Sequence, residues 1–174
     1  MGCSTSWLGR LDVLRIGTIC LAGALIWTIG ASRVSSHEKL ALGAIVPGAV
    51  MTQPFGCSEL VLEPFDPYCP SHHIHTGVDL AAREGTPVHA ASGGTAGVGF
   101  DPEGAGLYVV VSSAGRVRAL YCHLSVALVV GTQEVTTGEV IGRIGSTGLA
   151  TGPHLHFEVQ VDGRAVDPIP WLVS

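Results

Sequence analysis

From residue 51 onward apolar side chains come in short runs rich in Val, Ile, Leu and Tyr and closed off by Gly or Pro; residues 87–91, 107–112, 117–124, 126–130, 139–144 and 156–161 are the clearest. Runs of that length between turn residues read as strands, and nothing past residue 50 keeps a 3.6-residue apolar period for three turns. Turn signals fall at Gly93-Gly94, Gly104-Ala105-Gly106, Ala114-Gly115 and Asp162-Gly163. The pattern predicts a mostly β domain over 51–174, an antiparallel sheet or sandwich. Residues 37–50 hold no sustained period and read as a spacer.

The N-terminus follows another pattern. Between Arg15 and Arg33 lie 17 uncharged residues; as a helix they would span about 25 Å, against about 30 Å for the hydrocarbon core of a bilayer. The run is long for a signal-peptide core and short for a span, and Gly30, Ala31 and Ser32 at its end permit cleavage. Residues 1–36 are therefore expected to form one hydrophobic helix, either a cleaved signal peptide or an uncleaved membrane anchor, with a helix buried in the soluble fold as the alternative. Both export readings leave Arg10 and Arg15 in the cytoplasm and put residues after about 35 outside it. Met1-Gly2-Cys3 fits a myristoylation pattern, but that modification acts on cytosolic proteins and conflicts with export. Cys20 follows Ile19, where a lipoprotein site prefers a small residue.

Charge divides at the same boundary. Residues 1–36 set Arg10, Arg15 and Arg33 against Asp12, a sum of +2, and the remainder carries −7. With 13% charged and 47% hydrophobic residues in 174, the chain is built to fold as one compact domain. No basic stretch could neutralise a run of phosphates, which excludes nucleic acid as a partner. A monomer is expected, touching a membrane only through an uncleaved N-terminus. Cys57 and Cys69 lie 12 residues apart in a loop-like stretch of an exported domain, where a bridge persists. A Cys57–Cys69 disulfide is expected, two separate buried thiols being the alternative.

Candidate chemistry sits among the histidines. His154-Leu155-His156 enters a strand, so both imidazoles can face one cavity while Leu155 faces the core. His75 and Asp79 are four apart, with Gly77 between them pointing to a loop entering a strand rather than a helix. In the run ending Tyr121-Cys122-His123, alternation sends Tyr121 and His123 to one face and Cys122 to the core. A catalytic zinc takes three protein ligands from nitrogen and oxygen donors and keeps one place for water. His75, Asp79 and one of the two strand histidines would supply two nitrogens and a carboxylate. The other strand histidine and His123 then stay unbound yet close, suited to proton transfer and to stabilising charge on a peptide carbonyl. Such a set describes a hydrolase better than a structural metal site.

Four segments, HTGVD at 75–79, GTPV at 85–88, YCHL at 121–124 and STGLATGPHLHFE at 146–158, resemble the lysostaphin or LytM-type zinc endopeptidases of bacterial cell walls. The similarity runs from about residue 53 to 172. It implies that His75, Asp79 and His156 ligate one Zn2+ per chain and that His123 and His154 do the chemistry. It also implies an open groove on the β domain, peptidoglycan peptides as partners, and cleavage of wall cross-links or stem peptides at the bacterial envelope. On that basis His154 is assigned as general base and His123 as stabiliser of the tetrahedral intermediate. The bond cleaved depends on groove walls expected from loops 53–73 and 100–107. The rival is a catalytically silent module of the same shape that binds wall peptides or activates another hydrolase.

Around this set, Tyr121 either lines the groove or is a packed aromatic. Glu158 has the parity to face the site and is read as a strand-surface acid, the alternative being an acceptor that orients a ligand imidazole. His72 and His73 are read as exposed loop residues; His37 and His89 have no evident partner. The run 138–145 is similar to biotinyl and lipoyl carrier hairpins, but the one Lys of the chain is Lys39, in the spacer, so a carrier function is excluded.

Overall fold

The computed structural model describes residues 41–113 and 116–172. The expected N-terminal helix, His37 and the Ala114-Gly115 turn lie outside the described residues. Within them run twelve strands: β1 (Val50–Gln53), β2 (Gly56–Cys57), β3 (Ile74–His75), β4 (Val78–Ala81), β5 (Pro87–His89), β6 (Gly94–Asp101), β7 (Gly106–Ser112), β8 (Val117–Ala127), β9 (Gln133–Val135), β10 (Val140–Ile144), β11 (His154–Val161) and β12 (Arg164–Val166). The main sheet is ordered β1-β4-β11-β8-β7-β6-β9, with β12 paired to β11, β10 joining β8 to β5, and β2-β3 a separate ribbon. Every pairing is antiparallel, as the short alternating runs predict. No helix among the described residues is long and apolar enough to cross a membrane.

One face of the sheet makes the core and the other carries the site. On β11, Leu155, Phe157 and Val159 are buried, while His154, His156 and Glu158 alternate onto the opposite face. The neighbouring β4 does the same with Val78 and Leu80 inward and Asp79 outward. Register then sets His156 beside Asp79 on one side and Cys122 on the other.

Three elements depart from the sequence pattern. Runs 117–124 and 126–130 are one continuous strand as far as Ala127, because Ser125 does not break it: its hydroxyl donates to the Ile144 carbonyl at 2.8 Å. β6 is absent from the runs read as strands, because Gly94, Gly97 and Gly99 interrupt its apolar pattern. The Tyr108 ring lies over Gly99, so close that a Cβ there would sit 2.3 Å from it, and the aromatic supplies the packing the glycine lacks. Inside the stretch read as a spacer, Leu42–Ile45 form one helical turn, and Ile45 and Val46 join the core.

Tyr121 is a core residue and does not share a face with His123. Its ring is fully buried, 5.2 Å from that of Phe157, and its hydroxyl accepts the Ala91 N–H at 2.8 Å. Alternation fails here because Leu107 pairs with Leu124 but Val109 pairs with Tyr121. Cys122 and His123 together oppose Tyr108, a β-bulge that turns both toward the other face. Tyr121→Phe would leave the Ala91 N–H buried without an acceptor. It is expected to lower stability by about 1 to 3 kcal/mol in urea unfolding without altering metal content.

Cys57 and Cys69 are bridged, with Cα atoms 5.3 Å apart, and Cys122 is a buried free thiol. The bridge closes a loop of 12 residues' separation, for which chain entropy gives about 3 kcal/mol. Urea unfolding with and without a reductant should differ by about that amount.

Candidate functional site

Three side chains from two distant stretches, 75–79 and β11, meet on the groove face of the sheet. His75 Nε2, Asp79 Oδ1 and His156 Nδ1 stand 3.1 Å (His75 to Asp79), 3.0 Å (His75 to His156) and 3.1 Å (His156 to Asp79) apart. These three atoms are the one group of His, Cys, Asp or Glu donors among the described residues placed to hold a metal ion. At zinc-to-donor distances near 2.0–2.2 Å, the edges of a tetrahedral shell are about 3.3–3.6 Å, so the triangle fits such an ion after opening by a few tenths of an ångström. The remaining ring nitrogens agree with that use. His75 Nδ1 donates to the Pro54 carbonyl at 2.8 Å, which puts its proton there and leaves Nε2 as the donor to a metal.

The groove side holds two histidines outside the donor triangle. The His123 and His154 rings lie with centroids 4.7 Å apart and planes tilted by 45°. His123 Nδ1 donates to the Thr147 carbonyl and His154 Nδ1 to the Gly152 carbonyl, each at 2.8 Å. Both rings therefore keep Nε2 free of backbone, and His154 Nε2 lies 3.8 Å from Asp79 Oδ1. His123 has a left-handed backbone, φ 62°, which the bulge and the Ala105 carbonyl, accepting its N–H at 2.8 Å, hold in place. Behind it the turns around Gly106 and Gly148 nest together: a Cβ at Gly148 would sit 2.3 Å from the Gly106 nitrogen. That contact brings Thr147 to His123, and the Thr147 hydroxyl accepts from the Leu107 N–H and donates to the Leu124 carbonyl, both at 2.9 Å.

Burial and charge act together on the titrating groups. Burial raises the Asp79 carboxyl, but hydrogen bonds from His156 and His75 outweigh it and hold the group well below the usual carboxylate range. Burial lowers His156, yet the Asp79 and Glu158 carboxylates push it up to about 9. His123 is lowered, mainly by burial. The Cys122 thiol is pushed up to about 12 by burial and by the carboxylates nearby, which keeps it protonated. The site thus concentrates negative charge around the donor triangle, a field that suits a cation.

These groups line an open groove of about 430 Å3. Its walls include Leu60, Leu62 and Glu63 from the disulfide-closed loop and Glu103 from the β6–β7 turn, as expected of loops 53–73 and 100–107. Leu149 and Thr151 add a wall that sequence reasoning did not foresee. Glu158 is not a surface acid: its side chain is 13% exposed and both its oxygens are engaged. Thr76 and Thr147, whose hydroxyls brace the site, were also missed; Thr76 lies inside the HTGVD segment, the one signal that could have pointed to it. His72 is exposed and stacks on Phe65. His73 is only half-buried and bonds the Glu63 carbonyl, and His89 contacts the Ile45 carbonyl; none of the three enters the donor set.

The DD-carboxypeptidase/endopeptidase Mpg of Neisseria meningitidis serogroup B is 45% identical over 96 residues, which are 55% of this chain and 22% of that protein. Among solved structures, the catalytic domain of lysostaphin from Staphylococcus simulans is 32% identical with a TM-score of 0.64, covering 79% of this chain and all of that one. A zinc-containing peptidase from Vibrio cholerae is 31% identical with a TM-score of 0.61, covering 79% of this chain and 40% of that one. The chain spans about a fifth of the length of the curated relatives it matches. Residues 73–168, which take in the donor triangle and both free histidines, match the description "Peptidase family M23", and the chain belongs to that family.

Proposed function

We propose that the chain is an exported zinc endopeptidase that hydrolyses peptide cross-links or stem peptides of bacterial peptidoglycan, with His75, Asp79 and His156 as ligands of one ion per monomer. The observation that carries this reading is the donor triangle beside two imidazoles whose free Nε2 atoms face the same open groove. The relatives lend the substrate: Mpg is a DD-carboxypeptidase/endopeptidase, and ShyA of Vibrio cholerae, 42% identical over 93 residues, is a peptidoglycan DD-endopeptidase.

Bound at the triangle, zinc would polarise the scissile carbonyl and lower the pKa of a water molecule there. The chain's own residues supply the rest. The groove walls, among them Leu60, Leu62, Glu103 and Leu149, bind the peptide. His154, with Nδ1 committed to the Gly152 carbonyl, takes the proton of the attacking water at Nε2. With Nδ1 already donating to the Thr147 carbonyl, His123, 4.7 Å away ring to ring, donates from Nε2 to the oxygen of the tetrahedral carbon only as the imidazolium, a form that burial disfavours and the developing oxyanion favours. His154 returns the proton it took to the leaving amine.

The test is mass spectrometry of the products formed from defined cross-linked muropeptides by the zinc-loaded full chain. Cleavage of a peptide bond at the cross-link or within a stem is expected. Binding of the same peptides without products would instead establish the silent module.

A further inference from the structure

We propose that Glu158, braced by Thr76 and Gln160, is a positioning residue that fixes the His156 imidazole as a metal ligand; this rests on the reading of His75, Asp79 and His156 as the zinc ligands. His156 turns Nδ1 into the donor triangle, so its proton must sit on Nε2. That nitrogen faces Glu158 Oε2 at 3.6 Å, an ion-pair contact just longer than a hydrogen bond. A ring held only at Cβ can rotate about its last torsion and offer carbon instead of nitrogen to the ion. An acceptor on the far side removes that freedom and makes the ligating nitrogen more basic.

The carboxylate is itself immobilised. Thr76 donates its hydroxyl to Glu158 Oε2 at 2.6 Å, and Gln160 donates its amide to Oε1 at 2.5 Å. An ordinary strand glutamate on an open sheet face would stand in water; this one is 13% exposed. Gly77 completes the fit, since a Cβ there would lie 2.4 Å from the Phe157 carbonyl oxygen and 2.9 Å from His156 Nε2. Any side chain at 77 would push the imidazole off the line between Glu158 and the triangle. The two segments HTGVD and HLHFE thus meet twice: Asp79 with His156 inside the donor set, and Thr76 and Gly77 with Glu158 and His156 behind it.

The experiment measures zinc affinity of the full chain by competition with a chromophoric chelator for the wild type, E158A, E158Q and T76V. It also records long-range 1H–15N spectra of His156 in the zinc-loaded proteins. E158A is expected to bind zinc about 10- to 100-fold more weakly. E158Q keeps an acceptor oxygen without its charge and should recover part of that loss, ending about tenfold below the wild type. In the spectra, wild-type His156 should show a ligated Nδ1 and a protonated Nε2, and E158A should lose the slow solvent exchange of the Nε2 proton. That proton's exchange rate is a readout that a merely structural glutamate would not move. If E158A does not fold, E158Q and T76V carry the comparison. A wild-type chain that takes up no zinc overturns the ligand reading and this proposal together. Tight zinc in the wild type with affinity within twofold in E158Q and T76V overturns this proposal alone.

Discussion

Asp79→Ala and His156→Ala chains are expected to fold, to carry no stoichiometric zinc, and to lose wall-peptide hydrolysis by on the order of 10^3-fold or more. The size follows from the several kcal/mol that a Lewis acid contributes to a carbonyl reaction, at 1.36 kcal/mol for each tenfold in rate. Neither change opens the core, because both side chains lie on the groove face while their strand neighbours Val78, Leu80, Leu155 and Phe157 make the packing. Removing Asp79 leaves His75 and His156 only 3.0 Å apart at their facing nitrogens, with no carboxylate to neutralise a divalent ion between them. Elemental analysis of the purified variants beside the wild type checks the metal. Retention of a full equivalent of zinc by either variant would remove that residue from the ligand set.

The second large effect separates chemistry from ligation. His123→Ala is expected to keep its zinc and to lose turnover by about 10^2- to 10^4-fold, the usual contribution of a positioned acid or base. His123 is outside the donor triangle, and its one hydrogen-bonded ring atom goes to the Thr147 carbonyl. Its φ of 62° disfavours alanine, whereas asparagine tolerates the left-handed region. His123→Asn is therefore the cleaner variant: it preserves the bulge, and its amide can still donate to Thr147. Both variants should show the same metal content as the wild type and the same loss in kcat. Release of zinc from His123→Asn would mean that the histidines had been sorted wrongly between ligation and catalysis.

What could be read from the amino acids was whatever depends on strand parity and on short motifs. The face of β11 followed from HLHFEVQV alone, because a two-residue period with apolar odd positions admits one orientation. The disulfide followed from the spacing of Cys57 and Cys69 and from the expectation of export. What escaped was set by contacts between elements distant in the chain. Parity put Tyr121 with His123, and the bulge at Cys122-His123 reversed it; nothing local in YCHL announces an extra residue, which exists because β7 offers one partner where β8 has two. Glu158 looked like a surface acid because its partners come from 82 positions upstream and from its own strand. The helical turn at Leu42–Ile45 is four residues long, too short to display a period, so Ile45 and the Val46 that follows it were hidden in what read as a spacer. β6 was obscured by its glycines, one of which, Gly99, has the ring of Tyr108 from the next strand where its side chain would be.

X-ray absorption at the zinc edge of the purified full chain, with the metal quantified in the same sample, bears most directly on the ligand assignment. One zinc per chain is predicted, with a first shell of nitrogen and oxygen alone at about 2.0–2.2 Å and the outer-shell scattering of two imidazoles. A sulfur scatterer near 2.3 Å, a single imidazole, or a folded chain that holds no zinc would contradict it.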